Sequence, residues 1–125
     1  MFGFLLCVLV FYPGIFTPDS MNQFDQARSG EFEDWHPPIM AALWFVFERV
    51  HDGPEPLFFT HLLLFWIGIW AVSDALARVG ARWSALLPLI GLAPFVFNYL
   101  GLLWKDVALA AAWLFAAGMA FTRFC

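Results

Sequence analysis

Residues 57–77, LFFTHLLLFWIGIWAVSDALA, form an apolar run of membrane length. At a helical rise of 1.5 Å per residue the run reaches roughly 31 Å, close to the ~30 Å hydrocarbon core of a bilayer. His61 and Asp74 are its ionisable side chains, and Asp74 lies near one end. We therefore predict a transmembrane helix here.

The composition of the whole chain agrees with a membrane setting. Hydrophobic residues make up 62% and charged residues 13%, with a mean hydropathy of +0.76. Soluble domains are roughly half apolar and about a quarter charged. The net charge is -4, which disfavours a nucleic-acid partner because phosphates require basic side chains. Membrane lipids are the expected surroundings.

Three further apolar runs extend the pattern, at residues 2–16, 84–100 and 107–122. The first reaches only roughly 22 Å, so we expect it to continue upstream. The chain is thus predicted to be all-α and polytopic, with about four membrane helices. We expect residues 1–125 to form a single transmembrane domain, the N-terminal part of a larger one.

Residues 17–36, TPDSMNQFDQARSGEFEDWH, interrupt these runs with an acidic segment. Its helix start and stop signals predict a short helix between Asp19 and Gly30. Ser20-x-x-Gln23 has the capping-box pattern, and glycine commonly ends helices. A second short helix is expected after His36-Pro37-Pro38, because proline is tolerated in a first turn. Both helices are too short to span, so we expect the first to be interfacial and the second to be either interfacial or re-entrant.

Arginines at positions 78, 82 and 123 indicate which ends of the spans face the cytoplasm. With that orientation, the acidic segment and the turn at residues 104–106 share the outer face. Asp19 and Asp106 are therefore predicted to meet in one polar site.

Each candidate site residue has two interpretations. The carboxylate of Asp19 can accept a proton or help to hold a divalent cation, or it can simply cap a helix. Lys105 can meet a lipid-linked phosphate or extend to headgroups, and Asp106 can join Asp19 or cap the last helix. His36 can orient a phosphate or a sugar hydroxyl, and Trp35 can stack on a sugar, but both residue types are also ordinary interface anchors.

The order of these motifs resembles the N-terminal part of GT-C type membrane glycosyltransferases, in particular the bacterial branch with an Asp-Ser motif. The matching pieces are Tyr12-Pro13-Gly14, Pro18-Asp19-Ser20, Gln23, Gly30, His36-Pro37-Pro38 and Lys105-Asp106. The resemblance implies transfer of a sugar from a polyprenyl-phosphate donor to an acceptor, on the extracytoplasmic face of the bacterial inner membrane. It also implies site roles: Asp19 and Asp106 as catalytic acids, and His36, Lys105, Gln23 and Trp35 as substrate contacts.

The chain departs from the family pattern at Ser20, where many relatives carry a second acid. A single carboxylate is a poor divalent site, so the requirement for a metal stays open, with Asp19 as the possible ligand. The alternative to an enzyme is a non-enzymatic polytopic protein, either structural or transporter-like. Transport is disfavoured because His61 is almost alone as an ionisable side chain at mid-depth.

Overall fold

The computed structural model describes residues 2–33 and 38–124. This part of the chain is helical, and its one strand-like feature is a single bridge between Ile15 and Leu102. The all-α prediction is confirmed for it. The elements are α1 (Phe2–Phe11), α2 (Pro18–Ser29), α3 (Ile39–Glu48), α4 (Glu55–Arg78), a 3-10 helix (Ser84–Leu92), α5 (Pro94–Leu100) and α6 (Lys105–Phe124).

Two of the described helices, α4 with 24 residues and α6 with 20, are long and apolar enough to cross a membrane. The prediction of about four membrane helices is confirmed only for these two. The run at 84–100 is not one α-helix, because Pro88 lies inside a 3-10 helix and Pro94 begins a separate α-helix. Proline lacks the N–H that an α-helix interior requires, so the run divides there.

The two long helices touch backbone to backbone through glycine. A β-carbon on Gly68 would lie 2.7 Å from the backbone nitrogen of Phe115, and one on Gly118 would lie 2.7 Å from the carbonyl oxygen of Gly68. The same position at Gly118 would lie 3.0 Å from the β-carbon of Ala71. A later residue of α4, Ala71, thus contacts a later residue of α6, Gly118, so the two helices run in the same direction.

This parallel arrangement decides which ends of the helices meet. The first residues of α4 and α6, Glu55 and Lys105, lie at one end of the pair, and the last arginines, Arg78 and Arg123, lie at the other. The segment at 84–100 must therefore return the chain from the arginine end to the start of α6. We call the end that holds the first residues of α4 and α6 the polar end.

Helix α2 begins three residues earlier than the capping pattern predicts. Thr17 is the N-cap, and its side chain accepts from the Ser20 N–H while the Ser20 hydroxyl accepts from the Thr17 N–H. The predicted box from Ser20 to Gln23 is therefore wrong in register, because Pro18 suits the first helical position. Gly30 ends the helix with φ 74°, as predicted.

Helices α2 and α3 pack together as one unit at the polar end. Arg28 of α2 bonds to Glu48 of α3, with Nε 3.4 Å from Oε2, and to Asp52 in the next turn. The Arg28 guanidinium, helped by the Glu48 side chain, holds the pKa of the Asp52 carboxyl below its ordinary value. Trp44 is buried against the ring of Phe24 at 4.7 Å.

The main apolar core lies beneath this unit, where it meets α1, the start of α4 and the end of α5. Its buried members are Cys7, Ala27, Met40, Trp44, Leu57, Phe58, Leu62, Leu100 and Leu103. This core packs against α2 and therefore holds its first turn in place.

Candidate functional site

The backbone just before the acidic segment pairs with the backbone just before α6. The Ile15 N–H donates to the Gly101 carbonyl at 2.8 Å, and the Leu103 N–H donates to the Ile15 carbonyl at 3.0 Å. Gly14 has φ 115°, and a β-carbon there would lie 2.9 Å from the Leu103 side chain. Only glycine suits both this φ and this close approach, so Gly14 permits the pairing.

A side-chain hydrogen bond continues the contact toward the candidate acids. The indole Nε1 of Trp104 donates to Oδ2 of Asp19 at 3.3 Å, and both groups are partly buried. The Trp104 ring stacks on Tyr99, with centroids 6.4 Å apart and 12° between planes. This stacking supports the indole, and the indole in turn orients the carboxylate in the first turn of α2.

Lys105 and Asp106 open α6 directly after this tryptophan. Lys105 is partly buried and Asp106 is exposed. The N-terminal end of an α-helix carries a partial positive charge, so the helix end and the lysine both favour an anionic group here. Through Trp104, Asp19 thus lies beside the segment from which Lys105 and Asp106 begin α6.

Asp106 also borders an apolar cavity of about 380 Å³ between α4, α5 and α6. The cavity wall continues from Trp104 through Val107 to Leu114, along about two turns of α6, with Phe65 of α4 opposite. The site therefore joins a polar mouth to an apolar channel along α6.

Gln23 follows Asp19 by one turn of α2 and is 1% exposed. Neither its amide nitrogen nor its amide oxygen has a hydrogen-bond partner among the described residues. Sequence reasoning identified this residue only through the family resemblance, and its burial comes from the tertiary structure.

The predictions for Trp35 and His36 fall on residues 34–37, which lie outside the described residues.

The described residues contain no group of three or more His, Cys, Asp or Glu side chains placed to hold a metal ion. Beside Asp19, the Ser20 hydroxyl is engaged in the helix cap and donates to the Thr17 carbonyl at 3.0 Å. The position where relatives of the resembled family carry a second acid therefore serves the helix terminus in this chain.

Sequence reasoning missed Trp104 as a site residue. It placed this tryptophan in the outer turn but assigned it no role, because an interfacial tryptophan is usually an anchor. The only available signal was its position directly before Lys105 and Asp106.

No protein-family model matches the chain, and no curated protein or solved structure matches it either. The resemblance to GT-C glycosyltransferases therefore rests on the motif residues named above.

Proposed function

We propose that this protein is a GT-C-like membrane glycosyltransferase that moves a sugar from a polyprenyl-phosphate donor to an acceptor outside the cytoplasmic membrane of a bacterium. The observation that carries the proposal is the hydrogen bond from Trp104 to Asp19. It joins the carboxylate of the first polar segment to the turn that presents Lys105 and Asp106.

Exposed apolar surface supports the membrane setting. Most of α6 is uncovered, including Trp113 at 70% and Leu109 at 57% exposure. A helix this apolar and this exposed favours lipid contact, whereas the core helix of a soluble protein is buried.

The proposed topology has α4 and α6 crossing in the same direction, with the broken segment between them as the return crossing. Nine residues of 3-10 helix rise roughly 18 Å and seven α-helical residues roughly 10 Å, so together they approach the hydrocarbon thickness. The arginines at the far ends of α4 and α6 face the cytoplasm by the positive-inside bias. The polar end then lies on the extracytoplasmic face.

In the proposed reaction, Asp19 is the general base. The oxygen of an acceptor hydroxyl attacks the anomeric carbon of the donor sugar while Asp19 takes the hydroxyl proton. The bond from the anomeric carbon to the phosphate oxygen breaks, and its electron pair stays on that oxygen. Lys105 and the N-terminal end of α6 stabilise the negative charge on the departing polyprenyl phosphate. Attack opposite the leaving group inverts the anomeric centre.

The apolar cavity suits the other part of such a donor. A phosphate near Lys105 would place the attached isoprenoid chain at the mouth beside Trp104, and the chain can follow the wall of α6 toward Leu114. The polar mouth and the apolar channel thus match the two chemically different halves of a lipid-linked sugar.

The test replaces Asp19 with Asn in the full-length protein and measures transfer from radiolabelled polyprenyl-phosphate sugars to extracted membrane acceptors. Loss of the general base should lower the rate by about 10²–10⁴-fold. Asp25→Asn is the matched control, because Asp25 lies exposed on the same helix, and it should keep wild-type transfer. Undiminished transfer by Asp19→Asn would exclude the catalytic role of Asp19. If the wild-type protein transfers no sugar from any of the donors, that result would favour the non-enzymatic alternative.

A further inference from the structure

Helix α2 directs polar side chains into the protein beside its apolar contacts. Ser20, Gln23 and Gln26 are buried together with Ala27, and Met21 is 58% exposed. A buried polar side chain needs a hydrogen-bond partner, whereas a buried apolar side chain does not. The partners of the three polar side chains therefore indicate what the inward face of α2 does.

Two of these three buried side chains already have their partners. Ser20 is bonded within the helix cap, and Gln26 donates to Asn22 and accepts from the Glu33 N–H at 3.3 Å. Gln23 differs, since both atoms of its amide lack a partner among the described residues. A buried polar group without hydrogen bonds is destabilising, so its retention points to a role outside folding.

The position of Gln23 links it to the proposed reaction. Residues four apart on a helix are neighbours on its surface, so Gln23 lies beside Asp19 and one turn further from the helix start. A group bound against Asp19 and extended along α2 would reach the Gln23 amide next.

The chemistry of an amide selects the kind of group it can satisfy. It offers N–H donors and a carbonyl acceptor side by side. A phosphate provides acceptors only and would leave the amide oxygen unpaired, and an isoprenoid chain provides neither. Sugar hydroxyls both donate and accept, so neighbouring hydroxyls can satisfy both atoms of the amide.

We propose that Gln23 hydrogen-bonds the hydroxyls of the donor sugar and so sets the preference for a sugar-bearing lipid over the bare lipid phosphate. This inference rests on the proposed function. Gln23 is 1% exposed in this structure, so binding requires the part of α2 beyond its first turn to tilt away from the core while Trp104 continues to hold Asp19. Arg28 ties α2 to Glu48 of α3 and to Asp52, so both surface helices move as one unit.

The experiment compares two ligands on the full-length protein in lipid nanodiscs. One is a polyprenyl phosphate, and the other is the same phosphate bearing glucose, galactose, mannose or N-acetylglucosamine in turn. Wild-type protein should bind at least one sugar-bearing lipid more tightly than the bare phosphate. Gln23→Met should weaken that binding by about tenfold, as expected for two hydrogen bonds, and leave the affinity for the bare phosphate unchanged.

Gln26→Met is the matched control, because it removes a buried amide that does have partners. It should lower Tm and should change both affinities by the same factor, whereas Gln23→Met loses no protein hydrogen bond and should not lower Tm. Should Gln23→Met fail to fold, Gln23→Asn keeps the amide but withdraws it by one methylene, and it should show the same selective loss.

The outcomes separate the two proposals. A Gln23 variant that keeps the sugar preference, or loses affinity for both lipids equally, overturns the role of Gln23 alone. Wild-type protein that binds no sugar-bearing lipid more tightly than the bare phosphate overturns this inference as well, and transfer by the Asp19 variants then decides independently whether the proposed function stands.

Discussion

The indole N–H of Trp104 reaches the carboxylate of Asp19 across 85 residues of sequence, at 3.3 Å. Asp19 lies in the first turn of a surface helix, and Trp104 directly precedes the first residue of α6. The bond therefore sets the position of a surface carboxylate relative to Lys105. A hydrogen bond to a charged group is among the stronger ones in proteins, so this contact should matter for the reaction.

Replacing Trp104 with Phe should impair sugar transfer. Phenylalanine can keep the ring stacked on Tyr99 but lacks the N–H, so the Asp19 carboxylate loses an orienting donor. Hydrogen bonds to charged groups contribute about 1.5–3 kcal/mol, which corresponds to a fall of roughly 10- to 100-fold in kcat/KM. The measurement is transfer from the labelled lipid-linked sugar. Tyr99→Phe keeps both the stacking and the indole, so it should retain activity, and an equally active Trp104→Phe would contradict the orienting role.

Replacing Gly68 with Ala should destabilise the pair of long helices. The added carbon would lie 2.7 Å from the Phe115 backbone nitrogen, which cannot rotate away as a side chain can. Overpacking of this kind costs about 1–3 kcal/mol, seen as a lower Tm in detergent. Ala116→Leu is the control, since it adds bulk on an exposed position of α6. Equal Tm values for both variants would argue against close contact of α4 and α6.

The pair formed by Arg28 and Asp52 should make a small contribution to stability that depends on pH. Because the folded-state pKa of Asp52 lies below its ordinary value of 3.8, the contribution is present above that pH and is lost as the pH falls through the folded-state pKa. Asp52→Asn should therefore lower Tm slightly at pH 7. The difference from wild type should shrink in the acid range and in high salt, because both side chains are exposed.

Asp25→Asn serves as the comparison for that measurement. It removes an exposed carboxylate from α2 without touching the contact between Arg28 and Asp52. A Tm difference for Asp52→Asn that stays constant from neutral to acid pH would show that the ion pair is not its cause.

Local features of the chain could be predicted from the sequence where a residue type has one common structural role. Gly30 ends α2 because glycine readily adopts the left-handed conformation found there. The helix begins at Pro18, one residue before the predicted Asp19, but its N-cap was misplaced, since Thr17 and Ser20 are both good capping residues three positions apart. Proline at position 18 decides between them.

The segment at 84–100 shows a second limit of local reasoning. Hydropathy marks it as apolar, and the structure divides it before Pro94. Its change to a 3-10 helix was not foreseen, because hydropathy measures the surroundings that a segment prefers and not the hydrogen-bond pattern it adopts.

The sequence by itself determined that the chain is helical and apolar enough to enter a membrane, because helix signals and hydropathy are properties of neighbouring residues. It also pointed to Asp19, Lys105 and Asp106 through their order along the chain. Only the tertiary structure decided that Trp104 holds Asp19 and that Gln23 is buried without a hydrogen-bond partner among the described residues. Those relations depend on how distant backbones pack, through the close approach of α4 to α6 and the bridge from Ile15 to Leu102, and no short stretch of sequence contains that information.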